Sequence, residues 1–412
     1  MCYNIKNIFF RKYTAMDYRI SDKMVNMKPS AIREIFKSLA DPSIIAFAAG
    51  NPAPESFPVE AIKKFSAEIM ENEPITALQY SITEGYPALR EAVAARMKEK
   101  FDIGRDFDST IITSGGQQAL ELACKVMCSE GDVVIAENPS FIGALNSFRS
   151  LGAKIVGVEL EDDGISIEKL EDALKNNPNA KLLYVIPTFH NPAGITTSLE
   201  KRKAIYSLAK QYNVMILEDN PYGELRFAGE DIPTIKSMDE DGIVIYASTF
   251  SKILSAGMRV GFVCAPNTII QKMVVAKQVE DVHTNIFFQM ICHRFLTQYD
   301  ANGHIDSICS LYRKKCNLML DAMDKHFPKE IKYTRPEGGL FLWVTLPENA
   351  KLTMPEIVQK ALENKVAVVP GTAFNCDVAA PSNSFRLNYS TPSDEQIVRG
   401  IEILGKILHE AI

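Results

Sequence analysis

The stretch Val214-Met215-Ile216-Leu217-Glu218-Asp219-Asn220-Pro221-Tyr222 decides the fold: an apolar, β-prone run from Val214 to Leu217 stops at two carboxylates and a turn. Runs of the same kind lie on both sides of it. Toward the C-terminus they are Ile243 to Tyr246 and Val260 to Cys264; toward the N-terminus, Leu182 to Ile186, Ile155 to Val158, Val133 to Ala136 and Ile111-Ile112. Helical patterns separate them, and one has a start signal in Thr197 with Glu200 three residues on, a capping box ahead of Lys201 to Tyr212. This alternation predicts an α/β fold, an open, mostly parallel sheet of the seven-stranded type flanked by helices, within a large domain spanning residues 55–295.

Beyond it, long helical patterns precede strand-like runs at Leu340 to Thr345, Val366 to Val369 and Phe385 to Tyr389, then a terminal helix. Residues 296–412 therefore read as a smaller α+β domain. In the segment 1–54, Ser30 is placed to cap a helix whose Ile32, Ile35, Phe36 and Leu39 form one apolar stripe, expected to pack on the small domain or a partner subunit. The first sixteen residues hold three basic and no acidic side chains but no signal-type apolar core, so a ragged start is expected, with translation from Met1 or Met16.

A chain of 412 residues is long enough for two or three packed units. Its 45 basic and 51 acidic residues give a net charge of −6 with no long block of either sign, which gives no electrostatic support to a nucleic-acid or membrane-surface role. No stretch approaches the roughly 20 apolar residues of a membrane-spanning helix. The eight cysteines are scattered, without a CxxC pair or a metal-ligand grouping, as expected of reduced thiols in a cytoplasmic enzyme with no metal. Cys124 and Cys128 would share a helix face, where core packing explains them better than zinc.

Several motifs carry chemistry. Ser114-Gly115-Gly116-Gln117 follows a strand and opens a helix, a place where free backbone N–H groups attract a phosphate, although a plain tight turn has the same look. Ser248-Thr249-Phe250-Ser251-Lys252, with Arg259 seven residues later, sets a lysine among hydroxyls at a strand end, which suits a Schiff base beside a phosphate. Alone, such a lysine would read as a surface charge. Asp219, at a strand's C-terminal end, points into the crevice where open α/β sheets bind ligands, with Tyr222 three residues on. Asn191-Pro192-Ala193-Gly194 is either a common turn or the source of an amide donor. In Ser384-Phe385-Arg386-Leu387-Asn388-Tyr389 an arginine sits in an otherwise apolar strand, so it needs a substrate carboxylate or an internal salt bridge.

Taken in this order, the motifs resemble those of fold-type I pyridoxal-phosphate aminotransferases of class I/II, over nearly the whole chain from about residue 20. The chain is most similar to the 2-aminoadipate and kynurenine aminotransferase group, through residues 30–35, 47–55 and Leu78-Gln79-Tyr80 followed by Glu84-Gly85-Tyr86 and Leu89-Arg90. The resemblance implies pyridoxal 5'-phosphate as cofactor, Lys252 as the Schiff-base lysine and catalytic base, Asp219 beside the pyridine nitrogen, and Asn191 and Tyr222 at the ring oxygen. It implies a phosphate held by Gly115, Gly116, Gln117, Thr249, Ser251 and Arg259, and by Tyr80 from the other subunit of a homodimer. Phe141 matches a position that stacks an aromatic ring, usually Tyr, on the cofactor, and Gly116 replaces a more familiar Ser. Arg386 would hold the substrate α-carboxylate, Gly50 would allow close approach, Asn191 and Tyr80 would border the substrate, and Arg33 would meet a distal carboxylate unless it is a solvated helix residue.

The implied activity is transfer of an amino group from an L-amino acid to a 2-oxo acid, 2-oxoglutarate above all, by a ping-pong cycle. Donors of the 2-aminoadipate, glutamate, kynurenine, aromatic and branched-chain types all fit. One alternative keeps the cofactor but carries out β-elimination. The other, a ligand-sensing regulator, needs a winged helix ahead of this domain, and some 30 residues are too few for one.

Overall fold

The structure, a computed structural model, describes residues 18–25 and 41–412. The Ser30 helix, Arg33 and the two candidate start positions lie outside the described residues. Fourteen strands occur among those described. The larger sheet comprises β2 (Asp108–Thr113), β3 (Val133–Asn138), β4 (Lys154–Glu161), β5 (Gly164–Ile165), β6 (Ala180–Val185), β7 (Met215–Asp219), β8 (Val244–Thr249) and β9 (Gly261–Pro266), in spatial order 2-9-8-7-6-3-4-5. Only β9 and the two-residue β5 run antiparallel to their neighbours. The expected seven strands are all present; the eighth, β5, merely folds back on the end of β4 and is too short to show a pattern in sequence.

Continuous apolar runs became strands because both faces of this sheet are covered. Along β6, Leu182, Tyr184 and Ile186 join Leu217 and Ile245 on one face, under helices Gly116–Met127, Ile142–Ser150 and Asn267–Gln278. The intervening Leu183 and Val185 join Ile216 and Val244 on the other, against helices Ile167–Asn176 and Leu199–Tyr212. The second of these helices corrects the expected capping box. Ser198, not Thr197, is its N-cap and accepts from the Lys201 N–H, whereas Thr197 is buried with its own N–H donated to the Pro187 carbonyl. Cys128 likewise falls one residue past its helix, as an extended cap residue.

A second sheet, in order 10-11-14-13, consists of β10 (Lys332–Tyr333), β11 (Phe341–Thr345), β13 (Val369–Pro370) and β14 (Ser384–Asn388). Helices Ala301–His326 and Asp394–Ala411 pack against each other beside it. The run expected at Val366 to Val369 is split: β12 (Val366–Ala367) leaves this sheet to pair in parallel with β1 (Ile45–Ala46), which ties the early chain to the late one. No helix among the described residues is long and apolar enough to cross a membrane.

Candidate active site

Because β3, β6, β7 and β8 are parallel, their C-terminal ends share one edge of the sheet, and the segments leaving that edge meet Arg386 of β14 around a cavity of about 360 Å3. Gly50, Gly116, Gln117, Phe141, Asn191, Asp219, Tyr222, Thr249, Ser251, Lys252, Arg259 and Arg386 all line it. Residues more than 300 positions apart in sequence thus converge on one space.

Strand pleating aims the carboxylate. Asp219 has the same parity as Leu217 and faces the cavity, while Glu218 faces the opposite side and accepts from the Ile235 and Lys236 N–H groups at 3.0 and 2.7 Å. Burial pushes the Asp219 carboxyl up to about 7, against the pull of the Tyr184 hydroxyl, which donates to it at 2.8 Å. An acid with an ordinary value of 3.8 raised to about 7 disfavours the fold once ionised; the penalty is absent at low pH and complete above about pH 7. An Asp219→Asn variant without cofactor is therefore expected to gain melting temperature relative to wild type at pH 8, the gap closing as pH falls toward 4. A gap independent of pH in thermal scans would sink this account.

Lys252 follows β8 through a tight turn in which Thr249 Oγ1 donates to the Val260 carbonyl at 3.1 Å and lies 2.9 Å from Ser251 Oγ. Its Nζ donates to the Gly50 carbonyl at 2.8 Å and lies 5.8 Å from the centre of the Tyr222 ring. Burial, then the positive charges of Arg386 and Arg259, bring its pKa down to about 8, so a reactive neutral amine is accessible near neutrality. Burial raises the Tyr222 hydroxyl well above its usual value, with the Arg386 charge opposing.

Arg259 is one of few non-glycine residues with positive φ, +54°, and its Nη1 donates to the Ala256 carbonyl at 3.1 Å. It crosses in front of Gly115, whose φ of +84° favours glycine and where a Cβ would push the guanidinium aside. Gly115 caps the helix Gly116–Met127, whose first-turn N–H groups open toward this corner. The Gln117 side chain is turned away, held by the Gly143 carbonyl at 2.9 Å and Ser147 Oγ at 2.6 Å.

At the far wall, the Arg386 guanidinium lies 4.1 Å from the centre of Phe341 and 4.9 Å from that of Phe374. It donates to Asn191 Oδ1 at 2.8 Å and the Ala48 carbonyl at 3.0 Å, while its Nε has no partner. No carboxylate pairs with it among the described residues, and burial lowers its pKa to about 10. The internal salt bridge left open by the sequence is thus not formed.

Tyr80 stands apart from its own chain's cavity, 80 % exposed, with its ring edge-on to His283 at 5.8 Å. Sequence reasoning passed over Asn51, Phe341 and Tyr184, and also a buried pair behind Asp219, His190 Nε2 and Glu137 Oε2 at 3.2 Å. None of these carries a sequence signal of its own; Tyr184 reads as one more core residue of an apolar run.

Known proteins share this chain's sequence pattern and fold. Residues 42–404 match the family described as aminotransferase class I and II. The aromatic-amino-acid aminotransferase 1 of Thermococcus litoralis is 40 % identical over 403 residues, covering 96 % of this chain and 95 % of that protein. A crystal structure of Pyrococcus horikoshii kynurenine aminotransferase in complex with PMP superposes with a TM-score of 0.91 at 37 % identity, covering 95 % of this chain and 97 % of that one. The alpha-aminoadipate aminotransferase of Thermus thermophilus, complexed with N-(5'-phosphopyridoxyl)-L-leucine, gives 0.85 at 36 % identity with the same coverage.

Proposed function

We propose, from the premise that this chain belongs to the class I and II aminotransferase family and transfers the amino groups of amino acids, that its cavity binds pyridoxal 5'-phosphate and that Lys252 is the residue that bonds it. The donor set fits such a group. The open first turn of the helix after Gly115, the Thr249 and Ser251 hydroxyls and Arg259 form a corner for a dianionic phosphate. A buried carboxyl at Asp219 suits a protonated ring nitrogen, whose charge would return it to the ionised form. Phe141 supplies a flat apolar wall. Asn191 and Tyr222 would hydrogen-bond the ring oxygen.

When bound, the cofactor supplies an aldehyde for the amine and a ring that accepts the electron pair left at Cα. Lys252 would take the proton from substrate Cα, and burial with two neighbouring arginines already favours its neutral, proton-accepting form. Arg386 holds the α-carboxylate as a fork and fixes which bond at Cα faces Lys252, while Gly50 leaves room for the substrate. One juxtaposition carries the proposal: a buried, anion-less guanidinium at Arg386 and a lowered lysine at Lys252 share a cavity with the buried carboxyl of Asp219.

A second subunit would complete the site. Ile75, Leu78 and Tyr80 are exposed beside one another in sequence, as are Val275, Val279 and Val282, which supports a homodimer in which Tyr80 reaches the partner's phosphate and substrate corner. Residues 55–295 would form the cofactor-binding domain and 296–412 the small one. Seven free cysteines among the described residues, none in a disulfide, support a reducing, cytoplasmic setting.

The test is spectroscopic. The loaded protein is expected to show a visible band that bleaches with an amino donor alone and returns with 2-oxoglutarate, which ranks the donors. Absence of any band after loading would defeat the Lys252 assignment, and release of pyruvate and ammonia from a cysteine conjugate without any oxo acid would favour β-elimination. For Arg33, alanine is expected to raise KM for 2-aminoadipate and glutamate by roughly 10- to 100-fold and leave leucine and phenylalanine unchanged. Equal losses on all four donors would remove its distal-carboxylate role.

A further inference from the structure

Behind the phosphate corner lies a network that does not line the cavity. The turn at Ser114 to Gly116 contains two glycines and has little stiffness of its own. It is held from outside. The Ser114 N–H donates to Gln118 Oε1 at 2.8 Å, and the Ser114 hydroxyl donates to Asp281 Oδ2 at 2.6 Å, 3.1 Å from Thr284 Oγ1. Gln118 Nε2 donates to the same carboxylate oxygen at 2.9 Å and approaches Glu280 Oε2 at 3.3 Å. Lys277, whose side chain is wholly buried, donates to Gln118 Oε1 at 2.7 Å and to both Asp281 oxygens at 2.8 and 2.9 Å.

Burying a lysine is costly unless its partners are well placed, and here each partner among the described residues belongs either to the turn's own helix or to the segment that grips it. Burial pushes the Asp281 carboxyl up, but the Lys277, Ser114 and Gln118 hydrogen bonds outweigh it and keep the carboxyl ionised. The grip comes from the segment that carries exposed Val279 and Val282 and the His283 ring against Tyr80.

We infer that Asp281 is a positioning residue for phosphate binding: with Lys277 it clamps Ser114 and Gln118 from behind, so that the first-turn N–H groups stay aimed at the corner beside Arg259. This rests on the phosphate reading given under the proposed function. Asp281 touches neither cofactor nor substrate, so its effect should follow the phosphate alone.

The experiment compares pyridoxal 5'-phosphate with pyridoxal, which lacks the phosphate, as ligands of the cofactor-free full-length chain, read by absorbance titration. Asp281→Asn is expected to weaken the phosphorylated ligand by roughly 10- to 100-fold and pyridoxal by less than about 2-fold, with kcat retained at saturating cofactor. Ser114→Ala should give a smaller loss with the same selectivity. If Asp281→Asn does not fold because Lys277 is left buried and unpaired, the double variant Lys277→Met/Asp281→Asn removes both charges and should show the same selectivity. Equal weakening of both ligands, or none, would overturn the clamp. A wild-type chain that bound both ligands equally would instead remove the phosphate corner itself, and the clamp with it.

Discussion

A Lys252→Ala variant is expected to lose on the order of 10^4-fold or more in kcat while remaining folded. Two functions disappear together: the amine that bonds the aldehyde, and the base that takes the proton from Cα. The fold should tolerate the change, because among the described residues the side chain hydrogen-bonds only the Gly50 carbonyl, and burial already disfavours its charge. Cofactor can still enter, since the phosphate corner and Asp219 remain, so the variant should bind pyridoxal 5'-phosphate without the wild-type visible band. In the cofactor-free wild type, the rate at which Lys252 captures pyridoxal 5'-phosphate should rise with pH as the amine loses its proton near 8, then level off. Turnover by Lys252→Ala within 10-fold of wild type would assign the base elsewhere.

The second large effect is expected at Arg386. Arg386→Met preserves much of the apolar packing between Phe341 and Phe374 but removes the fork. Truncating a buried, hydrogen-bonded charge pair costs about 2–5 kcal/mol, which is a fall in kcat/KM of roughly 30- to several-thousand-fold. The signature is uniformity: every amino donor carries the α-carboxylate, so 2-aminoadipate, leucine and phenylalanine should suffer alike. Arg386→Lys should recover little, because a point charge does not reproduce two parallel donors. Losses confined to dicarboxylic donors would reassign Arg386 to the distal end of the substrate.

These predictions rest on residues that could be found in the sequence because of where strands end. Parallel strands covered on both faces need unbroken apolar runs, and a polar residue that terminates such a run, as Asp219 does, is conspicuous. Arg386 stood out for a different reason, as a charge in the middle of the otherwise apolar β14. Tyr184 did not, because an aromatic within Leu182 to Ile186 reads as core; only the pairing of Tyr184 with Leu217 places its hydroxyl diagonally beside Asp219. The Lys277–Asp281 pair was equally hidden: an i, i+4 charge pair looks like a solvated helix face until its lysine proves buried. Two-residue strands such as β1 and β12 have no periodicity to detect. Between adjacent hydroxyls, Thr197 and Ser198, the cap fell to the one that meets the Lys201 N–H while Thr197 is buried, a tertiary fact.

The paired carboxylates at the end of β7 carry a consequence for how this segment can change over time. Glu218 and Asp219 are chemically alike and adjacent, yet one serves the cavity and the other ties down the backbone at residues 235–236. Point substitutions upstream in β7 alter packing by degrees. Insertion or deletion of a single residue there would exchange the two acids at a stroke, sending a longer arm into the cavity and leaving a shorter one unable to span to Ile235 and Lys236. The strand is therefore open to drift by replacement but closed to drift in length, and its five-residue extent should be the least negotiable dimension of the sheet.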